Sequence, residues 1–131
     1  MAASFPRPTA KPSVLLVDDE KMLLEALRLG LESEYDVELA ASAEEAELLL
    51  STGKHDVVVC DHLMPVEVGL DFLISACRRH PRTKRILVTG YLNPEFLARS
   101  TQLAGLSACL LKPVPIADLK AAIRTALVGP V

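Results

Sequence analysis

Tryptophan is missing from this chain and aromatic residues make up only 4% of it, so its interior cannot rest on large rings. With 50% hydrophobic residues, a core must come mainly from Leu, Val, Ile and Ala. Cysteine is sparse: Cys60, Cys77 and Cys109 form no Cys-x-x-Cys pair, which excludes a disulfide framework or a zinc site. They read instead as three reduced thiols packed as small hydrophobes. Excess positive charge is also lacking. The net charge of −3 leaves no electrostatic footprint for nucleic acid. No apolar run approaches the roughly 18 residues of a membrane span. The N-terminus carries Pro6, Pro8 and Pro12 without an apolar block, so no secretory signal is read there. The expected compartment is the cytoplasm.

What is present fits one domain of 131 residues. Residues 1–11 read as a flexible leader, 12–128 as the domain and 129–131 as a tail. Val57-Val58-Val59-Cys60-Asp61 is an apolar run without alternation that stops at an acid, as expected of a strand buried on both faces. Ser13-Val14-Leu15-Leu16-Val17 stops at Asp18-Asp19-Glu20, Ile86-Leu87-Val88 at Thr89-Gly90, and Ala108-Cys109-Leu110-Leu111 at Lys112-Pro113. Val37-Glu38-Leu39-Ala40 alternates and suits an edge strand.

Helical stripes fill the intervals. Leu23, Leu24, Leu27 and Leu31 mark the first helix. Ser42 and Glu45 give a capping box to the second, where Leu48-Leu49-Leu50 reads as core. Leu70, Leu73, Ile74 and Cys77 are expected to face inward on the third, which His80-Pro81 stops. Asn93-Pro94 starts a fourth helix with a weak stripe. Ile116, Leu119, Ile123 and Leu127 mark the fifth. Alternating strands and helices predict an α/β, doubly wound (βα)5 domain with parallel strands.

Parallel strands bring Asp18, Asp19, Asp61, Thr89 and Lys112 to one edge of the sheet, where open α/β folds bind ligands. Converging carboxylates repel, by roughly 4 kcal/mol per pair at ~4 Å and an effective dielectric near 20. A hard divalent cation offsets that, and Mg²⁺ (or Mn²⁺) takes carboxylates together with phosphate oxygens. Lysine and a hydroxyl add donors for a phosphoryl group. Asp61, alone at the end of the central strand, is the natural nucleophile for an acyl phosphate, and Asp18-Asp19 suits the metal.

These motifs, with Met64-Pro65 and Gly69 after Asp61, resemble the receiver domain of two-component response regulators over about residues 12–128. The resemblance implies a flavodoxin-like fold with strand order 2-1-3-4-5. It implies a histidine kinase or histidine phosphotransfer protein that donates a phosphoryl group to Asp61, switching partner binding or dimerisation. Asp19, Asp61 and the backbone carbonyl of Leu63 would bind Mg²⁺, with Asp18 through water. Lys112 would contact the phosphate, Thr89 would close on it, and the bond before Pro113 would be cis. Homodimers through helices 4 and 5 are common in the family. A stand-alone receiver and a fragment of a longer regulator both suit the sequence, and such a domain is a switch rather than an enzyme.

Cys109 departs from the family pattern, which has Tyr or Phe there to carry the signal toward helix 4. Tyr91 offers itself as a substitute. Leu63 and Tyr91 also hold the positions that gate water in the family, implying slow self-hydrolysis, and Val68 stands where an acid is common. His62 is expected to point away from the site, because neighbouring strand residues face opposite sides. His55 and His80 read as surface residues. Two other functions compete: a degenerate receiver serving as a phosphorylation-independent scaffold, and an aspartyl-nucleophile phosphohydrolase. The latter requires an acid where Leu63 stands.

Overall fold

Three of the unbroken apolar runs, ending at Val17, Asp61 and Thr89, are strands covered on both faces, whereas Ala108–Leu111 is an edge strand only partly covered. The computed structural model describes residues 11–64, 68–90 and 93–128. Its elements are β1 (Ser13–Val17), α1 (Lys21–Leu31), β2 (Asp36–Ala40), α2 (Ala43–Leu50), β3 (Val57–Asp61), α3 (Gly69–Arg79), β4 (Lys84–Thr89), α4 (Pro94–Ala104), β5 (Ala108–Leu111) and α5 (Ile116–Val128). The strands pair in parallel in the order β2-β1-β3-β4-β5, which puts β2 at an edge as its alternation predicts. The expected tail and, apart from Lys11, the expected leader lie outside the described residues.

Side chains of the inner strands alternate between two apolar layers. Leu15, Val17, Val58, Cys60 and Leu87 meet Ala46, Leu50, Phe72, Leu73, Ala76 and Ala104 on the face covered by α2, α3 and α4. Val14, Leu16, Val57, Val59, Ile86 and Val88 meet Leu24, Leu31, Leu119, Ile123 and Ala126 on the face covered by α1 and α5. At the amino edge of the sheet, Asp36 N–H donates to Pro12 O and Asp56 N–H to Ser13 O. Lys120 of α5 reaches this edge too, pairing with Glu34 at 3.2 Å.

Local chemistry sets the helix ends. Ser42 Oγ accepts from Glu45 N–H, and Glu45 Oε1 accepts from Ala41 N–H, one residue before the cap. Asn93 Oδ1 accepts from Glu95 and Phe96 N–H, so the weak stripe of α4 is offset by a strong start. Gly105 ends α4 at φ 58°, ψ 47°, left-handed geometry that glycine adopts without a side-chain penalty.

Several expectations need correction. Leu48 is 69% exposed; the triple-leucine run exceeds the width of the buried stripe, so only Leu50 is fully covered and Leu49 partly. On α3 the buried residues are Gly69, Phe72, Leu73 and Ala76, while Leu70 and Ile74 pack at the margin and Cys77 is half-buried. The helix is rotated so that its aromatic ring meets the sheet. Cys109 is half-buried too, leaving Cys60 as the one fully buried thiol. His55 is buried rather than on the surface, because Glu38 supplies an acceptor 2.6 Å from its Nε2. His80 is part-covered and pairs with Glu47 at 3.0 Å.

Arg85 is a cation inside the layer between sheet and helices. It donates to Ala104 O at 2.8 Å, Gly105 O at 3.2 Å and Thr83 O at 2.6 Å, tying the end of α4 to β4. Positive charge at a helix C-terminus is favourable, and the guanidinium satisfies carbonyls that the helix leaves open. Arg85→Met should therefore cost about 2–3 kcal/mol in urea unfolding, since it strands buried acceptors.

Candidate functional site

The carboxyl edge collects the polar stops because parallel strands end together. Val17 pairs in register with both Ala40 and Cys60, Asp61 with Val88, and Thr89 with Leu111. Asp18 therefore lies one step beyond β1, next to the end of β3. Its N–H donates to Ala40 O at 3.1 Å, and its Oδ1 accepts from Glu20 N–H at 2.9 Å, turning the chain toward α1. Lys112 follows β5, with its N–H held by Thr89 O at 2.8 Å.

Lys112 Nζ lies 3.1 Å from Asp61 Oδ1, 3.4 Å from Asp18 Oδ2 and 3.8 Å from Glu20 Oε1. Asp18 and Asp61 are each only 5% exposed, whereas Asp19 is exposed. One oxygen from each of Asp18, Asp19 and Asp61 can be chosen so that all lie within 4.8 Å of one another. An all-oxygen set at this spacing fits a hard divalent cation that keeps part of its water shell. Thr89 closes β4 at 1% exposure, and the Lys112–Pro113 peptide is cis.

Burial pushes the Asp18 carboxyl above its ordinary value of 3.8, and the nearby Asp61 charge adds to this. The Glu20 N–H and Lys112 pull the other way without overcoming it. For Lys112, burial would lower the ammonium, but the hydrogen bond to Asp61 and the charges of Asp18 and Asp61 hold it above 10.5. An acid with a raised folded value stabilises the fold below its ordinary value and loses that contribution as pH rises through the folded one. Asp18→Asn should accordingly raise the melting temperature of cation-free protein at pH 7. The gain should shrink as pH falls and vanish well below pH 3.8, where Asp18 is protonated in both states. Differential scanning calorimetry across this range checks it; a lower melting temperature at pH 7 would mean that the Lys112 attraction outweighs burial.

Beside the charged groups, a crevice of about 420 Å³ runs between α1 and the β5–α5 connection. Leu23, Leu24, Leu27, Val114 and Leu119 line it, and Asp18, Asp61 and Lys112 stand in its wall. The stripe of α1 was legible in sequence, but not that it borders the charged rim.

Gly69, the first residue of α3, lies against the end of β3. A Cβ there would fall 2.1 Å from Asp61 O and 2.9 Å from His62 Cα. Gly69 N–H donates to His62 O at 2.7 Å, locking the loop after Asp61 to the helix. His62 stacks edge-on against Phe96 of α4, with ring centres 5.2 Å apart. Leu63 is exposed, Val68 is the N-cap of α3, and Tyr91 lies outside the described residues.

A doubly wound parallel sheet with acids gathered around a lysine at its carboxyl edge defines a flavodoxin-like domain whose charged rim lies where such folds bind ligands. The response regulator receiver domain profile matches residues 14–124, and the chain belongs to that family, the signalling switches of two-component systems. It is 38% identical over 101 residues to the hydrogenase transcriptional regulatory protein HoxA of Cupriavidus necator, covering 77% of this chain and 21% of HoxA. The response regulator protein PilR of Pseudomonas aeruginosa is 30% identical over 119 residues, covering 90% of this chain and 26% of PilR. The chain thus spans about a fifth to a quarter of these relatives.

Among solved structures, a CheY-like receiver domain from Methanospirillum hungatei superposes with a TM-score of 0.83 at 32% identity, covering 90% of this chain and 94% of that one. Vibrio cholerae chemotaxis protein CheY4 gives 0.83 at 26% identity, with 90% and 100% covered. Among the described residues, no helix is long and apolar enough to cross a membrane.

Proposed function

We propose that Asp61 is the phosphoryl acceptor of this receiver and that a histidine kinase or histidine phosphotransfer protein is the donor. The observation that carries the reading is Lys112 Nζ held between Asp61 and Asp18, with Asp19 at the same rim. An Asp61 carboxylate oxygen attacks phosphorus in line with the donor's imidazole nitrogen. The P–N bond breaks, its electron pair stays on that nitrogen, and an acyl phosphate remains on Asp61.

Lys112 then exchanges its contact with the carboxylate for one with a phosphoryl oxygen, and the Thr89 hydroxyl donates to another. Asp18, Asp19, Asp61 and the Leu63 carbonyl would hold Mg²⁺ (or Mn²⁺), with Asp18 acting through water. When bound, the cation neutralises charge on the transferring group. The buried position of Asp61 limits water at the acyl phosphate, and the exposed Leu63 can shield it further.

The phosphorylated domain changes its affinity for a partner or for a second copy through α4 and α5, in the cytoplasm. Regulation of transcription, as in the names of HoxA and other relatives, is a proposal for any longer protein that contains this domain. Intact-mass measurement after incubation with acetyl phosphate tests the acceptor reading. One phosphoryl group should be gained with Mg²⁺ and none with a chelator. A chain that gains none in either condition would count against the mechanism.

A further inference from the structure

The residue that would ordinarily pass the acceptor's state toward α4 is too small here. Cys109 is half-buried in the apolar layer that includes Leu87, Phe96 and Ala104, and its short thiol cannot sweep that space by rotating. Another side chain reaches α4 from the end of β3. His62 follows Asp61 directly, and its ring meets Phe96 in the first turn of α4 at an interplanar angle of 67°. Edge-to-face ring contacts depend on orientation. Among the described residues, His62 Nδ1 is buried without a hydrogen-bond partner, so no such bond fixes the ring at that atom.

The backbone around His62 joins the reacting residues. His62 N–H donates to Val88 O at 2.8 Å. Asp61 precedes the donor of this bond and Thr89 follows its acceptor. A shift at either residue when a phosphoryl group is held therefore acts on the same peptide pair. His62 O is fixed separately by Gly69 N–H at 2.7 Å, leaving the ring as the part that responds.

The receiving helix is seated lightly. Its fully buried side chains are two small ones, Ser100 and Ala104, and Ser100 Oγ is buried without a hydrogen-bond partner among the described residues. Phe96 is its large ring against the layer beneath. The far end is tied down by Arg85 through the Ala104 and Gly105 carbonyls. A helix pinned at its C-terminus and touched near its N-terminus is set up to pivot, and lightly packed elements are those that move at low cost.

Resting on the acceptor reading above, we infer that His62 is a positioning residue that relays the state of Asp61 to α4 through Phe96, in the role that Cys109 cannot fill. The contact itself biases the helix about two- to tenfold between its two seatings.

The test uses the full chain with Mg²⁺ and beryllofluoride as phosphoryl stand-in, followed by ¹⁵N amide shifts. In the unmodified protein, shifts should be largest over Glu95 to Arg99 and smaller over Ser100 to Ala104. His62→Ala and Phe96→Leu should each reduce the α4 shifts to about a third or less, the double variant should add no further loss, and beryllofluoride affinity should change less than about threefold. Undiminished α4 shifts in Phe96→Leu overturn the relay even if His62→Ala fails to fold, and so does additive loss in the double variant. Beryllofluoride uptake without any α4 response also overturns the relay alone. No uptake by the unmodified protein strikes the acceptor reading and the relay together.

Discussion

Asp61→Asn should abolish phosphorylation while leaving the domain folded. A carboxamide is not a nucleophile toward phosphorus at neutral pH, so intact mass after acetyl phosphate and Mg²⁺ should show no added phosphoryl group. The fold should survive because the substitution removes one of two buried like charges while Lys112 keeps Asp18 as a partner at 3.4 Å. It also preserves side-chain volume in a strand buried along its whole length. Phosphoryl uptake at the unmodified rate would mean that Asp18 or Asp19 accepts the group and that Asp61 does not. Circular dichroism on the same sample separates loss of chemistry from loss of structure.

Gly69→Ala should be the most damaging small substitution at the rim. The added carbon would lie 2.1 Å from Asp61 O, 2.8 Å from Asp61 C and 2.9 Å from His62 Cα, all backbone atoms that cannot swing aside. The start of α3 must lift, breaking the Gly69 N–H bond to His62 O and moving the end of β3 with it. A cost of about 3 kcal/mol in urea unfolding is expected, at the upper end for overpacking, with weakened Mg²⁺ binding. Gly90→Ala is the matched control. Among the described residues nothing lies within 4 Å of a Cβ there, so stability should change by less than about 0.5 kcal/mol. Equal behaviour of the two variants would show that close approach is not what requires glycine at position 69.

The rim was legible because strand ends are visible in sequence: a carboxylate, hydroxyl or ammonium after a β-favouring run has one edge to go to once crossovers make the strands parallel. Spacing does not report what depends on contacts between distant residues. His55 is buried because Glu38 reaches it from the edge strand β2, 17 positions away. Leu48 is exposed because a run of three leucines does not say which one a helix turns inward. Arg85 sits at the head of the apolar β4 run, but two of its three acceptors come from the far end of α4. Gly69 belongs to a motif visible in sequence, whereas the backbone that a side chain there would meet belongs to a strand end eight residues earlier and is visible only in three dimensions.

Both ends of the described chain leave from the side of the sheet opposite Lys112 and the aspartates. Lys11 precedes β1 beside Asp36 and Asp56, and α5 has already reached Glu34 at Lys120 before running on to Val128. A module tethered at either terminus would hang behind the sheet, leaving the acceptor's doorway open to an arriving donor. Such cargo would receive news of the reaction through the body of the domain, not by touching the modified carboxylate.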